Sequence, residues 1–359
     1  MRDIGLALSG GGSRAAAFHL GCLRALQDLG VLPRVRVISA ISGGSLVAAL
    51  WAYGPSDFGE FDATAVRFLR RGLHSSIAIH LLRPYPAICD LGSMLQSCVP
   101  SRQMQSRVRR SGRTAALTDV LAERAFQSKT MSHVSHEDLA VVLTATDLTT
   151  GSAVRFGSER SSCSRFGTIT EPVSVALAVA ASAAYPLLLP AINRTFTFER
   201  RGVRETHAVL LADGGVYDNL GLTVLEPGRS RGFTEHVYDV SYIVSCDAGR
   251  GELRQRSPRF VLGRAGRAFD IVHARAQNGG RARLHEWAES GAISGFVMAY
   301  LGMRDDRLPK PVDGLVRRES VAAYPTNFAA MSQENLKLLS RRGEQLVRAL
   351  LPIYCPELV

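Results

Sequence analysis

The chain has 359 residues, of which 46% are hydrophobic and 21% charged, and this composition is typical of a packed soluble globule rather than a disordered chain. Its formal charge of +11 is carried almost entirely by arginine, as is common in proteins from GC-rich genomes. A solvated basic surface is the first interpretation of this charge, and a surface for anionic lipid is the second. We expect no nucleic-acid partner.

The six cysteines form no C-x-x-C pair and no histidine-linked spacing. The sequence therefore predicts neither a disulfide framework nor a zinc site, and we expect no metal and no cofactor. The first residues pass directly into an apolar run, Ile4–Leu8, with no leader-like segment followed by a cleavage site. We expect a cytoplasmic protein, or one that is peripheral at a membrane.

Short apolar runs alternate with helical patterns along the chain, and strands without internal alternation are typical of a sheet covered on both faces. The predicted strands are Ile4–Leu8, Val35–Ala40, Leu139–Thr146, Ala208–Leu211 and Val240–Ser245. The predicted helices are Ala15–Leu29, Ser45–Tyr53, Pro172–Ala184 and Ser332–Leu351. This order predicts an α/β protein with three layers, in which helices flank a mostly parallel central sheet.

Three segments need separate interpretation. Val173–Ile192 carries no charge, but it is rich in alanine and valine and is broken by Pro186 and Pro190, so a buried helix is favoured over a membrane span. Residues 72–136, with an apolar patch at 77–82 and a basic stretch at 102–113, and the arginine-rich residues 249–292 are either caps over a site or amphipathic helices with a solvated face.

A glycine-rich turn, Leu8–Ala15, follows the first strand and opens the first helix. Consecutive glycines can aim several amide groups at one point near a helix N-terminus, which is suited to a phosphate or a transient oxyanion. Ala15 stands where a dinucleotide fingerprint has its third glycine, and a P-loop Gly-Lys-Ser/Thr is absent. A tight turn with no ligand is the alternative.

A second glycine-flanked bend, Ala40–Gly44, fits the G-x-S-x-G nucleophile elbow except at its first position. Such a bend lifts the hydroxyl of Ser42 clear of the sheet. A helix N-cap is the alternative role for a serine at this place, but Ser45 or Gly44 suits that role better.

A serine needs a base, and Asp213 ends an apolar strand and is followed by two glycines. Because the carboxyl ends of parallel strands meet at one edge of a sheet, we expect Asp213, Ser42 and the glycine turn to converge there. An Asx turn is the alternative role for Asp213. None of the nine histidines has a comparable position, and we assign none of them to catalysis.

Together these segments resemble the patatin-like phospholipase family over about the first 250 residues. The resemblance rests on five motifs in order: Gly10–Arg14, Ala40–Gly44, Thr144–Gly151, Ala181–Pro190 and Asp213–Gly215. It implies a patatin-like α/β catalytic domain over 1–250, as a single domain with cap-like insertions. The resemblance does not extend beyond residue 250, where we expect a helical extension over 251–359 packed on the same domain.

The resemblance also implies an activity: a lipid acyl hydrolase that cleaves a phospholipid or another fatty-acyl ester with a Ser–Asp dyad. Ser42 is then the nucleophile, Asp213 the base, and the amides of Gly11 and Gly12, with Gly10, the oxyanion hole. Arg14 fixes the turn or attracts phosphate, and the supporting residues are Gly43, Gly44, Gly214 and Gly215. Ala15 and Ala40 depart from the family's glycines.

Two other functions remain open from the sequence. One is an inactive or weakly active lipid-binding or membrane-binding module of the same fold, in which the arginine-rich residues 249–292 dock onto anionic headgroups. The other is a nucleotide-binding protein that holds phosphate at Gly10–Gly12, and it leaves Ser42 and Asp213 without a purpose.

Overall fold

The computed structural model describes residues 3–73, 113–186, 189–251 and 260–359. The apolar patch at 77–82 and the basic stretch at 102–112 lie outside the described residues. The α/β class with a helix-flanked central sheet is confirmed, and ten strands form one sheet in the order β10-β9-β1-β2-β3-β4-β5-β6-β7-β8 among the described residues. The strands are β1 Ile4–Leu8, β2 Val35–Ala40, β3 Ala140–Asp147, β4 Ser152–Gly157, β5 Ser162–Cys163, β6 Gly167–Ile169, β7 Ile192–Arg200, β8 Val203–Asp213, β9 Tyr242–Asp247 and β10 Gly295–Tyr300.

The sheet has a parallel half and an antiparallel half. Strands β10, β9, β1, β2 and β3 pair in parallel, as expected for strands joined by helical crossovers. From β3 to β8 the neighbours are antiparallel, and β8 also pairs with β3, so these six strands close a ring of hydrogen bonds. The sheet is therefore mixed, since only its first half follows the parallel arrangement.

Helices cover both faces of the parallel half. In β1, Ile4, Leu6 and Leu8 belong to the larger apolar cluster, whereas Ala7 points into a smaller cluster on the opposite face. All four side chains are fully buried. Because both faces of β1 are buried, the strand has apolar residues on both sides and no alternation with polar ones, as the sequence predicted.

The helices used below are α1 Gly12–Asp28, α2 Gly43–Ala52, α3 Phe58–Arg71, α4 Arg113–Leu121, α5 Val175–Ser182, α6 Gly215–Asp218, α7 Val261–Glu289, α8 Arg318–Ala322 and α9 Gln333–Tyr354. Helices α1 and α9 are in backbone contact at Gly21. A methyl group on Gly21 would lie 1.8 Å from the Ser340 carbonyl oxygen, so no side chain fits there. The hydroxyl of Ser332 caps α9 by accepting from the Asn335 amide.

The last hundred residues contribute to the same sheet. Strand β10 extends it beside β9, and α9 packs against α1 and β10. The arginine-rich residues 249–292 contain one long helix, α7, whose Leu284 is buried in the smaller apolar cluster. The division at residue 250 stays a prediction.

The uncharged segment Val173–Ile192 contains the buried helix α5, capped by Ser174, whose hydroxyl accepts from the Leu177 amide. No helix in the described part of the chain has the length and apolar character that a membrane crossing needs.

The register of β3 decides where the strand ends meet. One edge of β3 pairs with β2 as far as Ala40, opposite Leu143, and with β8 from Asp213, opposite Ala145. Strands β2 and β8 run toward each other along this edge, so the segments that follow Ala40 and Asp213 meet head to head. The sequence predicted that these segments meet at the common edge of a parallel sheet, whereas β8 is antiparallel to β3 and reaches the site from the antiparallel half.

Candidate active site

A strained bend places Ser42 between β2 and α2. Its backbone has φ 51° and ψ −116°, a conformation that non-glycine residues rarely adopt. The next two residues must be small: a methyl group on Gly43 would lie 2.1 Å from the Gly12 carbonyl oxygen, and one on Gly44 would lie 2.4 Å from the Leu8 carbonyl oxygen. At this bend the backbone that follows β2 therefore lies directly against the end of β1 and the turn after it, and no side chain fits between them.

Ser42 occupies the N-cap position of α2, but its hydroxyl makes no capping hydrogen bond. The expectation that Ser45 or Gly44 holds this position was wrong, because the helix begins earlier, at Gly43. The Ser42 hydroxyl instead interacts with the Asp213 carboxylate and acts to lower the pKa of that group. A strained serine whose hydroxyl is turned away from its helix and toward a carboxylate is suited to nucleophilic attack.

Asp213 is a buried carboxylate at the end of β8. Its side chain is 3% exposed and accepts a hydrogen bond of 2.7 Å from the Gly215 amide. Burial raises its pKa from 3.8 to about 6, against the lowering effect of the hydrogen bonds from Ser42 and Gly215. A carboxylate with a pKa near 6 is a stronger base than an exposed one and is still ionised at neutral pH.

The backbone around Asp213 is fixed by two of the motifs that carry the family resemblance. The Asp213 amide donates to the Ala184 carbonyl, and the Gly214 amide donates to the Ser182 carbonyl. On the other side, the Thr146 hydroxyl donates to the Asp213 carbonyl at 2.9 Å. Gly214 has no room for a side chain, because a methyl group there would lie 2.1 Å from the Thr144 carbonyl oxygen.

The Ser182 hydroxyl links these segments to the elbow. It donates to the Thr144 carbonyl at 2.7 Å and accepts from the Ser42 amide at 3.0 Å. Because its proton is used toward Thr144, the 2.8 Å contact with Ser45 requires the Ser45 hydroxyl to be the donor. Ser182 lies within one of the five motifs of the resemblance, Ala181–Pro190, but no role was predicted for it.

The glycine turn lies against the elbow, and its three amides are not equivalent. The Gly10 amide donates to the Asn219 carbonyl at 3.0 Å and is therefore occupied. No hydrogen bond joins the amides of Gly11 or Gly12 to a described backbone carbonyl. The φ angles of Gly11 and Gly12, 144° and 60°, lie in the region that favours glycine. An oxyanion hole at this turn has the amides of Gly11 and Gly12 available, but not that of Gly10.

Asn219 holds the glycine turn against the end of β8. A methyl group on Gly10 would lie 2.3 Å from its side-chain oxygen, and one on Gly215 would lie 2.6 Å from the same atom. The Asn219 side chain therefore fills the gap between two of the glycine motifs. No role was predicted for Asn219 from the sequence.

Arg14 is buried without a carboxylate partner. Its guanidinium donates to the carbonyls of Ala248 and Tyr324 and to the Thr326 hydroxyl. Arg250 donates to the same Tyr324 carbonyl and Thr326 hydroxyl, and no described carboxylate forms a salt bridge with either arginine. Burial, with the nearby charge of Arg250, lowers the pKa of Arg14 to about 9. Two guanidinium groups that share acceptors and form no salt bridge favour a bound anion, since the nearby Asp247 is already paired with Arg281.

A cleft of about 1500 Å³ opens over these residues. Ser42, Asp213 and Gly10–Gly12 lie on its wall, and eight arginines but two aspartates are among the described residues that line it. Apolar side chains, among them Leu189 and Phe328, line other parts of the wall. The cleft combines a cationic wall with apolar surface, as a ligand with an anionic head and an acyl chain requires.

The two departures from the family's glycines fit the structure. Ala40 is fully buried and keeps the regular parallel register, opposite Leu8 and Leu143. Ala15 is also fully buried, within the first turns of α1. Neither methyl group separates the Ser42 and Asp213 side chains.

The family model for the patatin-like phospholipases matches residues 6–225, which is more than half of the chain. The chain belongs to this family. No curated protein matches the chain in sequence. All of the motif residues that pointed to the patatin-like phospholipases lie within the matched segment.

Two solved structures of a human phospholipase have the same fold. Human GIVD cytosolic phospholipase A2 is similar with a TM-score of 0.54 and 13% identity, over 97% of this chain and 58% of the human one. Its complex with methyl γ-linolenyl fluorophosphonate gives a TM-score of 0.54 and 13% identity, over 97% and 57%. VipD from Legionella pneumophila has a TM-score of 0.39 and 15% identity, over 97% and 66%. This patatin-like chain therefore spans a little over half the length of the human enzyme.

Proposed function

We propose that this patatin-like protein is a lipid acyl hydrolase that uses Ser42 and Asp213 as a catalytic dyad. The proposal is carried by the contact between a strained serine hydroxyl and a buried carboxylate whose pKa is raised to about 6. Family membership supports hydrolysis of a lipid ester. The dyad gives that chemistry a nucleophile and a base.

The reaction proceeds through an acyl-enzyme. Asp213 takes the proton as the Ser42 oxygen attacks the ester carbonyl carbon, and the amides of Gly11 and Gly12 stabilise the oxyanion. When the tetrahedral intermediate collapses, the C–O bond breaks and the leaving alcohol takes the proton from Asp213. Water then attacks the acyl group and gives a proton to Asp213, the fatty acid leaves, and Ser42 regains its proton.

Two pairs of variants test the dyad on a soluble, uncharged fatty-acyl ester. Ser42→Ala and Asp213→Asn each remove one partner, and loss of the base alone is expected to cost about 10²–10⁴ in kcat. Ser39→Ala is the control for the serine, because the Ser39 hydroxyl is buried without a hydrogen-bond partner among the described residues. Asp218→Asn is the control for the aspartate, since its carboxylate accepts from backbone amides beyond the site. Equal rates in Ser42→Ala and Ser39→Ala, with both folded, would refute the dyad.

The cleft also supports a choice of substrate. An anionic headgroup offers Arg14 and Arg250 a salt-bridge partner, which neither has among the described residues, so we propose a phospholipid rather than a neutral lipid. Arg250→Gln should lower kcat/KM for a phosphate-bearing lysophospholipid but leave the uncharged ester unaffected. Arg204→Gln, at an exposed pair with Glu199, is the control. If Arg250→Gln slows both substrates equally, the headgroup assignment is wrong and the dyad is untouched.

One observation favours docking at a membrane surface. Phe260, Ile271 and Val272 on and beside α7 are exposed, and Ile271 also lines the cleft. Apolar side chains among arginines at the mouth of a cleft are suited to an anionic bilayer. Sedimentation with anionic vesicles should fall with salt and in Ile271→Gln, but not in Val203→Gln, which replaces an exposed valine on the β7–β8 hairpin. If vesicle binding changes neither with salt concentration nor in Ile271→Gln, this surface is excluded as the docking site.

A further inference from the structure

A second group of reactive side chains lies beneath the glycine turn, away from the cleft wall. His19 and Cys22 are three residues apart on α1, and Cys246 is in β9, beside Leu8 of β1. A ring nitrogen of His19 and the two sulfurs lie within 4.8 Å of one another. All three residues are fully buried.

The histidine ring has one nitrogen engaged and one without a partner. Its Nε2 lies 2.9 Å from the Ser9 carbonyl oxygen, which can only accept, so Nε2 carries the proton. In the neutral ring the lone pair is then on Nδ1, and this buried atom has no aligned hydrogen-bond partner in the described part of the chain. A histidine that donates one N–H to a backbone carbonyl and keeps its other nitrogen free has the arrangement of a metal ligand.

The two cysteines are free of disulfide bonds and buried, so both sulfurs are available as ligands. An isolated thiolate in a fully buried position is costly, and a bound cation neutralises it.

We propose that His19, Cys22 and Cys246 form a buried binding site for a thiophilic d¹⁰ cation, zinc(II) or copper(I). Thiolate and imidazole donors select these ions over magnesium or calcium. Zinc with two thiolates and a neutral imidazole has no net charge, which suits a buried site. Sulfurs bound at about 2.3 Å lie about 3.8 Å apart at the tetrahedral angle, so donors within 4.8 Å need move by only about an ångström.

The ion would join α1 to β9 directly behind the glycine turn. Ser9 connects the two features, because its carbonyl holds His19 and its amide donates to the Cys246 carbonyl. Helix α9 closes the site from outside: a methyl group on Gly343 would lie 3.2 Å from the Cys22 sulfur. An ion in this place enters as the chain folds and stabilises the position of the turn.

The test measures bound metal in protein produced in zinc-supplemented or copper-supplemented medium, kept reduced and dialysed against EDTA. The wild type should retain zinc or copper in equimolar amount and release it to a chromogenic chelator only on unfolding. Cys22→Ala and Cys246→Ala should retain none. Cys355→Ala and Cys163→Ala, which alter buried cysteines elsewhere, should retain as much as the wild type.

X-ray absorption at the metal edge distinguishes the two ions and does not depend on the variants folding. Two sulfurs and one nitrogen with a further light ligand indicate zinc, and the three donors alone indicate copper(I). Wild-type protein that holds neither ion after dialysis refutes the site, as does equal retention in Cys246→Ala and Cys355→Ala. Neither result bears on the Ser42–Asp213 dyad.

Discussion

Replacing Asp213 with asparagine should stabilise the folded chain at neutral pH while it removes the activity. The folded protein holds an ionised carboxylate at a site that is 3% exposed, and its pKa lies at about 6 instead of 3.8. A pKa raised on folding means that the native state binds the proton more tightly than the unfolded state does. The stability that comes from this proton is present below about pH 4 and is lost as pH rises through 6.

The size of the effect follows from the shift. About two pKa units, at about 1.4 kcal/mol for each unit, correspond to about 3 kcal/mol of stability lost by the wild type at pH 7. The asparagine side chain would keep the shape, accept from the Gly215 amide through its oxygen and donate to Ser42 through its nitrogen, so it avoids most of this cost. We expect Asp213→Asn to be more stable by about 1–3 kcal/mol at pH 7 and equal to the wild type near pH 4.

Urea unfolding of both proteins at pH 4 and pH 7 measures this difference. The Asp218→Asn variant serves as the control and should be less stable at pH 7, because its carboxylate accepts from three backbone amides. If Asp213→Asn is destabilised at pH 7, or its advantage does not change with pH, then the Asp213 carboxylate is not held in a desolvated state and the reasoning fails.

Three other perturbations test the surroundings of the dyad. The kcat/KM of the wild type should rise with pH with a midpoint near 6, as Asp213 ionises, and a profile flat from pH 5 to 8 would exclude it as the base. Gly43→Ala should abolish activity and cost about 1–3 kcal/mol in thermal unfolding, because its methyl group would meet the Gly12 carbonyl, whereas Gly279→Ala, with open space around it in α7, should stabilise by about 0.5–1 kcal/mol. Ser182→Ala should cost about 1–3 kcal/mol and lower kcat, since the buried Ser42 amide loses its acceptor, and unchanged kcat in a folded variant would contradict its positioning role.

The segments around Ser42 were predictable because local chemistry decides them. Strands β1 and β2 are short apolar runs that stop at glycines, and both were predicted with their observed bounds. Helices α1 and α2 begin two or three residues earlier than predicted. Both start at a glycine, which lies before the apolar pattern from which the start of each helix was predicted.

In the antiparallel half, β3 and part of β8 were predicted, but β4 to β7 were missed; among these, β5 and β6 are very short and β7 is partly exposed. In β7, Phe196 and Phe198 are buried between more exposed neighbours, a pattern typical of a half-covered strand. Its hairpin with β8 turns at Arg201–Gly202, both with positive φ, where Arg-Gly replaces the usual Asn-Gly. Strand β8 was predicted only at Ala208–Leu211, since its first half is exposed and polar.

Contacts between segments that are distant in the chain could not be predicted from the sequence. The head-to-head meeting of β2 and β8 depends on the antiparallel pairing of β8 with β3, which no local pattern encodes. The role of Ser182 depends on the same register. His19, Cys22 and Cys246 come together only because α1 packs over β9, and their spacing in the chain resembles no metal motif.

The central claim, that Ser42 is activated by Asp213, is tested most directly by a fluorophosphonate probe followed by peptide mapping. Attack by an activated serine on phosphorus expels fluoride and leaves a stable adduct, so no substrate has to be assumed. We predict that the wild type is labelled at Ser42, that Asp213→Asn is labelled far more slowly, and that Ser39→Ala is labelled like the wild type. A folded wild type that stays unlabelled, or that carries the label on another serine, would contradict it.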